Sequence, residues 1–216
     1  WFICDGIDAP SIFVVSEADA QQRITIREYD KASGANTSAH PFTLGAADAG
    51  AGNVFYPITS GDGAVGYLRA LNAGNLPDPS SAYTVPFTEI SLGSQTVRCR
   101  WLERTRLAGF TERRSVVVSE DADGDLIYRT YDFNAGQVAT PIDLDGAQRT
   151  TQFSTEVRGG TEETGPAGAI YRFQKDGYLY IVGAPETGAA TVSVRRGERT
   201  LQTETMLAQQ LPPRNE

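Results

Sequence analysis

QTVRCRWLERTRLAGFTERRSVVVSE, residues 95–120, holds the second of two cysteines and then restarts a pattern already present near the start of the chain. Val14-Val15-Ser16-Glu17 returns as Val117-Val118-Ser119-Glu120, an offset of 103 residues. With one residue dropped from the following turn, Ile24, Arg27, Tyr29, Asp30 and Gly34 fall on Leu126, Arg129, Tyr131, Asp132 and Gly136 at an offset of 102. Further on, Val54-Phe55 answers Ile170-Tyr171, and the strand carrying Thr96 to Cys99 lines up with Thr200 to Thr203 at an offset of 104. Offsets that hold near one value at both ends and drift only across loops are the mark of a tandem repeat.

The repeat fixes the domain organisation expected of the 216 residues: a first unit over 1–103, a second over 104–207 and a tail over 208–216. Both copies read as short strands and turns. Residues 11–16 are an apolar run and 23–29, RITIREY, alternate with period two, so the two form a hairpin. Residues 42–44, 53–59 and 65–71 continue as strands, the last two joined by Ser60-Gly61-Asp62-Gly63. Residues 72–86, NAGNLPDPSSAYTVP, read as a long loop before a closing hairpin over 88–92 and 95–101. The second copy repeats the plan over 114–119, 125–132, 152–158, 169–174, 178–182, 192–195 and 199–205, with a long acidic loop at 159–166 and a loosely held tail. About eight short antiparallel strands per copy predict an all-β chain of two tandem small antiparallel β-barrel or sandwich repeats.

Composition narrows the class. A net charge of −8 and a pI near 4.8 argue against a nucleic-acid partner, which needs a basic face. No apolar run approaches the roughly 18 residues of a membrane-spanning helix. The opening at Trp1, without a methionine, predicts that a preceding segment was removed, with a signal peptide or an anchor as the candidates. Lysine is confined to Lys31 and Lys175 against seventeen arginines, which fits a GC-rich bacterial source.

Cys4 and Cys99 are the two cysteines, and in the alignment they fall near Leu107 and on Thr203, so the second copy lacks both. Residues absent together from one copy act as one unit, which predicts a Cys4–Cys99 disulfide; two buried thiols are the alternative. A disulfide implies an oxidising compartment.

The start Phe2-x-Cys4-Asp5-Gly6, the following hairpin, the element Gly168-Ala169-x-Tyr171 and the last strand ending in Cys99 resemble the MliC-type inhibitors of c-type lysozyme. These are periplasmic or lipid-anchored proteins of Gram-negative bacteria that fold as a small antiparallel β-barrel. The resemblance implies a bond between first and last cysteines. The family's inhibitory serine pair is missing from the corresponding stretches, Asp48-Ala49-Gly50-Ala51-Gly52 and Gly165-Pro166-Ala167-Gly168-Ala169, so the inhibitory residues are not carried over.

Chemistry-bearing residues are sparse. His40, the only histidine, reads as a loop residue, and a His-based triad would have to be built on it. Glu162 and Glu163 could act as an acid and base pair but read as solvated loop charge. Asp121, Asp123 and Asp125 alternate as a calcium-type cluster or as a tight turn. Arg98, Arg100, Arg104, Arg106, Arg113 and Arg114 form a basic seam that either binds an acidic partner or pairs with glutamates across the two copies. The reading is a non-catalytic periplasmic or secreted binding protein, without cofactor, that recognises a protein or envelope partner through its loops and arginine seam. A structural accessory subunit of a larger membrane or surface assembly and a lysozyme inhibitor are the alternatives.

Overall fold

The computed structural model describes residues 1–7, 9–63, 65–133 and 155–213, and it is all-β. The chain divides into two compact units, Trp1–Glu103 and Arg104–Glu216. None of its described helices is long and apolar enough to cross a membrane.

The first unit contains β1 (Phe2–Asp5), β2 (Ser11–Val15), β3 (Arg23–Asp30), β4 (Asn36–Leu44), β5 (Asp48–Ala49), β6 (Asn53–Thr59), β7 (Val65–Leu71), β8 (Phe87–Leu92) and β9 (Gln95–Arg98). They make one antiparallel sheet in the order β1-β2-β3-β4-β6-β7-β8-β9, with β5 added to β6. Period-two patterning sets the faces: Ile24 and Ile26 of β3 point into the core while Arg23 and Arg27 are exposed. Phe2, Phe13, Val15, Ile58, Leu68, Phe87, Ile90 and Val97 complete that core. Trp1 packs edge-on against Phe87 at 4.7 Å, and Phe87 stacks on Phe2 at 3.9 Å.

This sheet does not close into a barrel by strand pairing. Its outer strands meet through one isolated bridge, Gly6 to Cys99, flanked by Ile7 N–H to Arg98 O and Arg100 N–H to Asp5 O, both 2.9 Å. The Cys4–Cys99 disulfide crosses the same place, with Cα atoms 4.6 Å apart. Gly6 is required there, because a Cβ would lie 2.7 Å from Ser11 O and 2.9 Å from Val97 Cγ1. On the other side β4 and β6 pair only at Thr43–Thr59 and Leu44–Ile58. Pro41 and Pro57 have no N–H to lengthen that ladder. One side is therefore clasped and the other is splayed.

The second unit contains β10 (Thr105–Phe110), β11 (Arg114–Glu120), β12 (Leu126–Asp132), β13 (Thr155–Arg158), β14 (Thr161–Gly165), β15 (Gly168–Lys175), β16 (Tyr178–Pro185), β17 (Thr191–Arg196), β18 (Arg199–Thr205) and β19 (Ala208–Gln210). Two five-stranded sheets, β13-β12-β11-β10-β19 and β14-β15-β16-β17-β18, share one core that includes Leu107, Val116, Val118 and Tyr128 from the first and Tyr171, Phe173, Val182 and Val192 from the second. The arrangement is a sandwich. Two expectations change here. The acidic segment 159–166 holds the strand β14 rather than a loop. The first residues of the tail are tied down, because Ala208, Gln209 and Gln210 pair with Phe110, Gly109 and Ala108. Of the expected strand over 152–158, residues 152–154 lie outside the described residues, as do 134–151 and 214–216.

Strand registers identify equivalent positions in the two units more sharply than sequence offsets. Val15 pairs with Ile26 as Val118 pairs with Tyr128, so the offsets of 103 and 102 hold across β2 and β3. Phe2 opposite Val15 and Cys4 opposite Phe13 correspond to Leu107 opposite Val118 and Gly109 opposite Val116. At the far end, Cys99 N–H to Thr88 O and Arg100 N–H to Asp5 O correspond to Met206 N–H to Ala190 O and Leu207 N–H to Phe110 O. Cys4 and Cys99 thus answer to Gly109 and Met206, not to Leu107 and Thr203. A Cβ on Gly109 would lie 2.4 Å from Met206 Sδ. Where the first unit has a sulfur bridge, the second has one buried methionine side chain lying over a glycine.

The same comparison shifts β6 by one residue. Leu68 opposite Tyr56 corresponds to Val182 opposite Tyr171, so Phe55-Tyr56, not Val54-Phe55, answers Ile170-Tyr171. A one-residue slip turns every side chain to the other face. The corrected register puts Ile58 on Phe173, and both are buried.

Candidate functional site

Residues 72–86 join β7 to β8 in the first unit, and residues 186–190 make the equivalent join in the second, a difference of fifteen residues against five. The longer connection is built rather than slack. Leu71 N–H donates to Pro86 O at 2.9 Å and closes its base. Asn72 Oδ1 accepts from Gly74 N–H at 3.1 Å and caps a 3-10 turn over Ala73–Asn75. Asp78 Oδ1 accepts from Ser80 N–H at 3.0 Å and caps a second over Pro79–Ser81. Ser81 is buried and donates to Asp78 O at 2.7 Å, and Trp101 Nε1 donates to Thr84 Oγ1 at 3.1 Å. Asn75 Nδ2 donates to Ala51 O, and Asn72 N–H donates to Gly52 O at 3.1 Å.

These anchors leave Gly74, Asn75, Pro77, Pro79, Ser80 and Val85 exposed on a pinned frame. Asp78 is the segment's one charged residue, in a chain that is 21% charged. A compact surface loop packed by its own side chains and set on a rigid sheet is the usual carrier of recognition. Its Asn, Ser, Gly and Tyr content supplies adaptable hydrogen bonding at low ordering cost.

Three of the six arginines of the seam, Arg100, Arg106 and Arg114, make ion pairs within their own unit. In the first unit Arg100 Nε lies 2.9 Å from Asp5 Oδ2, and Lys31 Nζ lies 2.8 Å from Asp5 Oδ1. Asp5 is buried beside the disulfide; burial alone would raise its pKa, but Arg100 and Lys31 outweigh that and hold it below the usual carboxylate value. In the second unit Arg106 Nη2 lies 2.5 Å from Glu120, and Arg114 Nε lies 3.3 Å from Asp132 and 3.4 Å from Glu204. Arg98 stands opposite Glu89 on β9 and β8. Arg104 takes a left-handed conformation, φ 51°, just before β10, and Arg113 is exposed in the β10–β11 turn.

The three aspartates form a turn. Asp121 Oδ1 accepts from Asp123 N–H at 3.1 Å and Asp125 N–H at 3.0 Å, and Arg158 lies 3.7 Å from Oδ2. Asp19 does the same in the first unit, its Oδ1 accepting from Gln21 N–H and Arg23 N–H at 2.9 Å. Asp19 is therefore the equivalent of Asp121, and the carboxylate common to both units is the one that caps the turn. Among the described residues no group of three His, Cys, Asp or Glu is placed to hold a metal ion.

His40 lies on β4 opposite Ile26, not in a loop. Glu162 and Glu163 are neighbours on β14, so their side chains leave opposite faces of the sheet. Glu163 lies 2.8 Å from Arg172, while Glu162 faces Tyr171, whose pKa burial and then Glu162 push up to about 12. The two carboxylates do not face one cleft as an acid and base pair. Comparisons with protein-family models, with characterised proteins and with solved structures return no match.

Proposed function

We propose that the chain is a non-catalytic binding protein of an oxidising compartment, periplasmic or secreted, that recognises a protein or cell-envelope partner chiefly through residues 72–86. The observation that carries this reading is the capped and anchored connection that only the first unit elaborates on the shared strand plan. The buried Cys4–Cys99 bond supports the oxidising compartment. Of the loops and arginine seam that the sequence offered, the ion pairs of Arg100, Arg106 and Arg114 within their own units favour residues 72–86 over the seam.

The test replaces residues 72–86 with residues 186–190 of the second unit, a connection the same strand plan already accepts. Immobilised intact chain is expected to retain a partner from extracellular or periplasmic extract. Titration of that purified partner against the exchanged chain is expected to show affinity at least ~100-fold weaker, the range of a lost hot spot. Equal affinity for both chains would contradict the reading, as would turnover of a substrate by the purified protein. Far-UV circular dichroism and the Cys4–Cys99 content report that the exchanged chain is folded. A lysozyme assay run alongside separates inhibition, the family's activity, from binding to another envelope protein.

A further inference from the structure

The β17–β18 hairpin stands out by the same comparison of units. Seven residues separate the paired Val194 and Gln202, where two separate the equivalent Leu92 and Gln95. The extension brings Arg195, Arg196 and Arg199, and Lys175 lies at the tip of the adjacent β15–β16 hairpin. In a chain of net charge −8 this is a local excess of positive charge. Arg100, Arg106 and Arg114 of the seam, Arg158 of β13 and Arg172 of β15 have carboxylate partners, but Arg195, Arg196 and Arg199 make no ion pair among the described residues.

Two features resist a purely structural account. Arg196 and Arg199 are direct cross-strand partners, and like charges directly opposite destabilise a sheet. The guanidinium groups are also partly fixed in advance: Arg196 lies over the Tyr178 ring at 5.3 Å, and Arg195 Nε donates to Thr200 Oγ1 at 3.1 Å. A bulge between Val194 and Arg195 sets Leu201 outside the ladder, 46% exposed beside the arginines. Beyond it, β18 is the last strand of its sheet among the described residues.

We propose that this hairpin is a docking surface for an acidic, extended polypeptide segment, whose carboxylates sit on Arg196 and Arg199 while its apolar residues cover Leu201. An anion between Arg196 and Arg199 relieves their repulsion, and arginine's fork suits a carboxylate. A planar anionic lipid surface fits less well, because Asp176 and Glu198 stand in the two turns and would meet that surface alongside the arginines. Discrete carboxylates on a peptide avoid both.

Fluorescence anisotropy with a labelled ten-residue peptide of alternating glutamate and valine tests this on the full chain. Binding is expected, weakening as salt rises from 50 to 500 mM, and the double substitution Arg196→Glu/Arg199→Glu is expected to lower affinity at least tenfold. A lysine–valine peptide is expected not to bind. The single variant Arg199→Glu, which turns the like-charge pair into an attractive one, is expected to keep or raise thermal stability while losing peptide affinity; a merely structural hairpin would show no such split. No binding of the glutamate peptide at millimolar concentration, or equal binding by the double variant, would overturn the proposal. So would binding of phosphatidylserine vesicles or polyphosphate at this hairpin in place of the peptide. None of these variants touches residues 72–86, so failure here leaves the loop reading standing.

Discussion

Removing the disulfide with Cys4→Ala/Cys99→Ala is expected to unfold the first unit at urea concentrations that leave the second folded. The bond closes a separation of 95 residues. In the chain-entropy account a loop of that length contributes roughly 4 to 5 kcal/mol. For a domain of about one hundred residues that corresponds to a fall in midpoint of roughly 20 °C or more. The effect is large because little else joins β1 to β9: one bridge and two flanking hydrogen bonds take the place of a ladder. The second unit holds its equivalent side with the three-residue pairing of β10 to β19 and with Met206, and so owes nothing to oxidation. Both tryptophans, Trp1 and Trp101, belong to the first unit, so tryptophan fluorescence follows that unit alone, while amide exchange in β15 to β17 follows the second. A fluorescence transition that does not move in the variant would contradict this account of the clasp.

Asp5→Asn is the second large effect. It leaves Lys31 and Arg100 charged, largely buried and without their shared carboxylate, at a cost of about 3 to 5 kcal/mol. The second unit shows what replaces the whole group. Lys31 N–H to Pro10 O corresponds to Phe133 N–H to Arg113 O, so Asp5, Lys31 and Arg100 answer to Phe110, Phe133 and Leu207. Three charged positions in one unit are three apolar ones in the other. The triple substitution Asp5→Phe/Lys31→Phe/Arg100→Leu is accordingly expected to be far milder than Asp5→Asn alone, within ~2 kcal/mol of the parent, since a buried ion group exchanges for apolar residues at little net cost.

The pH dependence follows from the depressed pKa of Asp5. A carboxyl with a folded-state pKa below its unfolded value gives stability that is present above the unfolded value, near 4, and lost as pH falls through the folded value. The first unit is thus expected to weaken below about pH 4, and Asp5→Asn to flatten that part of the profile. Urea midpoints read by tryptophan fluorescence from pH 7 to pH 2 measure both. An unchanged acid limb in the variant would assign the acid sensitivity to other groups.

The all-β class, the two units and the sulfur bridge were legible from particular residues. RITIREYD alternates because one face of β3 is core and the other is water, and periodicity records that difference. The residues that were misread lie on strands with no such difference. All of β14, TEETG, is exposed, and most of β4 is; β19 is three half-buried residues beside β10. Their places are set by backbone pairing, which leaves no hydrophobic rhythm. The same limit explains the slip of one residue at β6 and the misplaced equivalents of Cys4 and Cys99. Apolar runs such as Val54-Phe55-Tyr56 align equally well in two registers, and only the partner strand chooses between them.

The candidate sites were legible in outline only. Residues 72–86 stood out as a long loop, but the caps at Asn72 and Asp78 and the Trp101–Thr84 bond depend on tertiary placement. The arginine seam was visible as composition, while its partners lie up to 95 residues away, as Asp5 does from Arg100. The β17–β18 hairpin was missed because its importance emerges only from the register comparison with β8 and β9. The signal that could have found it was Arg195-Arg196-Gly197-Glu198-Arg199 itself, a cluster of arginines around a turn glycine.

Met206 is the only methionine in the chain, so a sample labelled at the methionine methyl gives one resonance. If both units are clasped at the same place, by sulfur bridge in one and by a methionine over a glycine in the other, that resonance is expected to show cross-relaxation with the Gly109 α-protons and with Ala208. A methyl signal that instead contacts Leu107 and Thr203, or that sits at the shift of an exposed side chain, would contradict the shared strand plan.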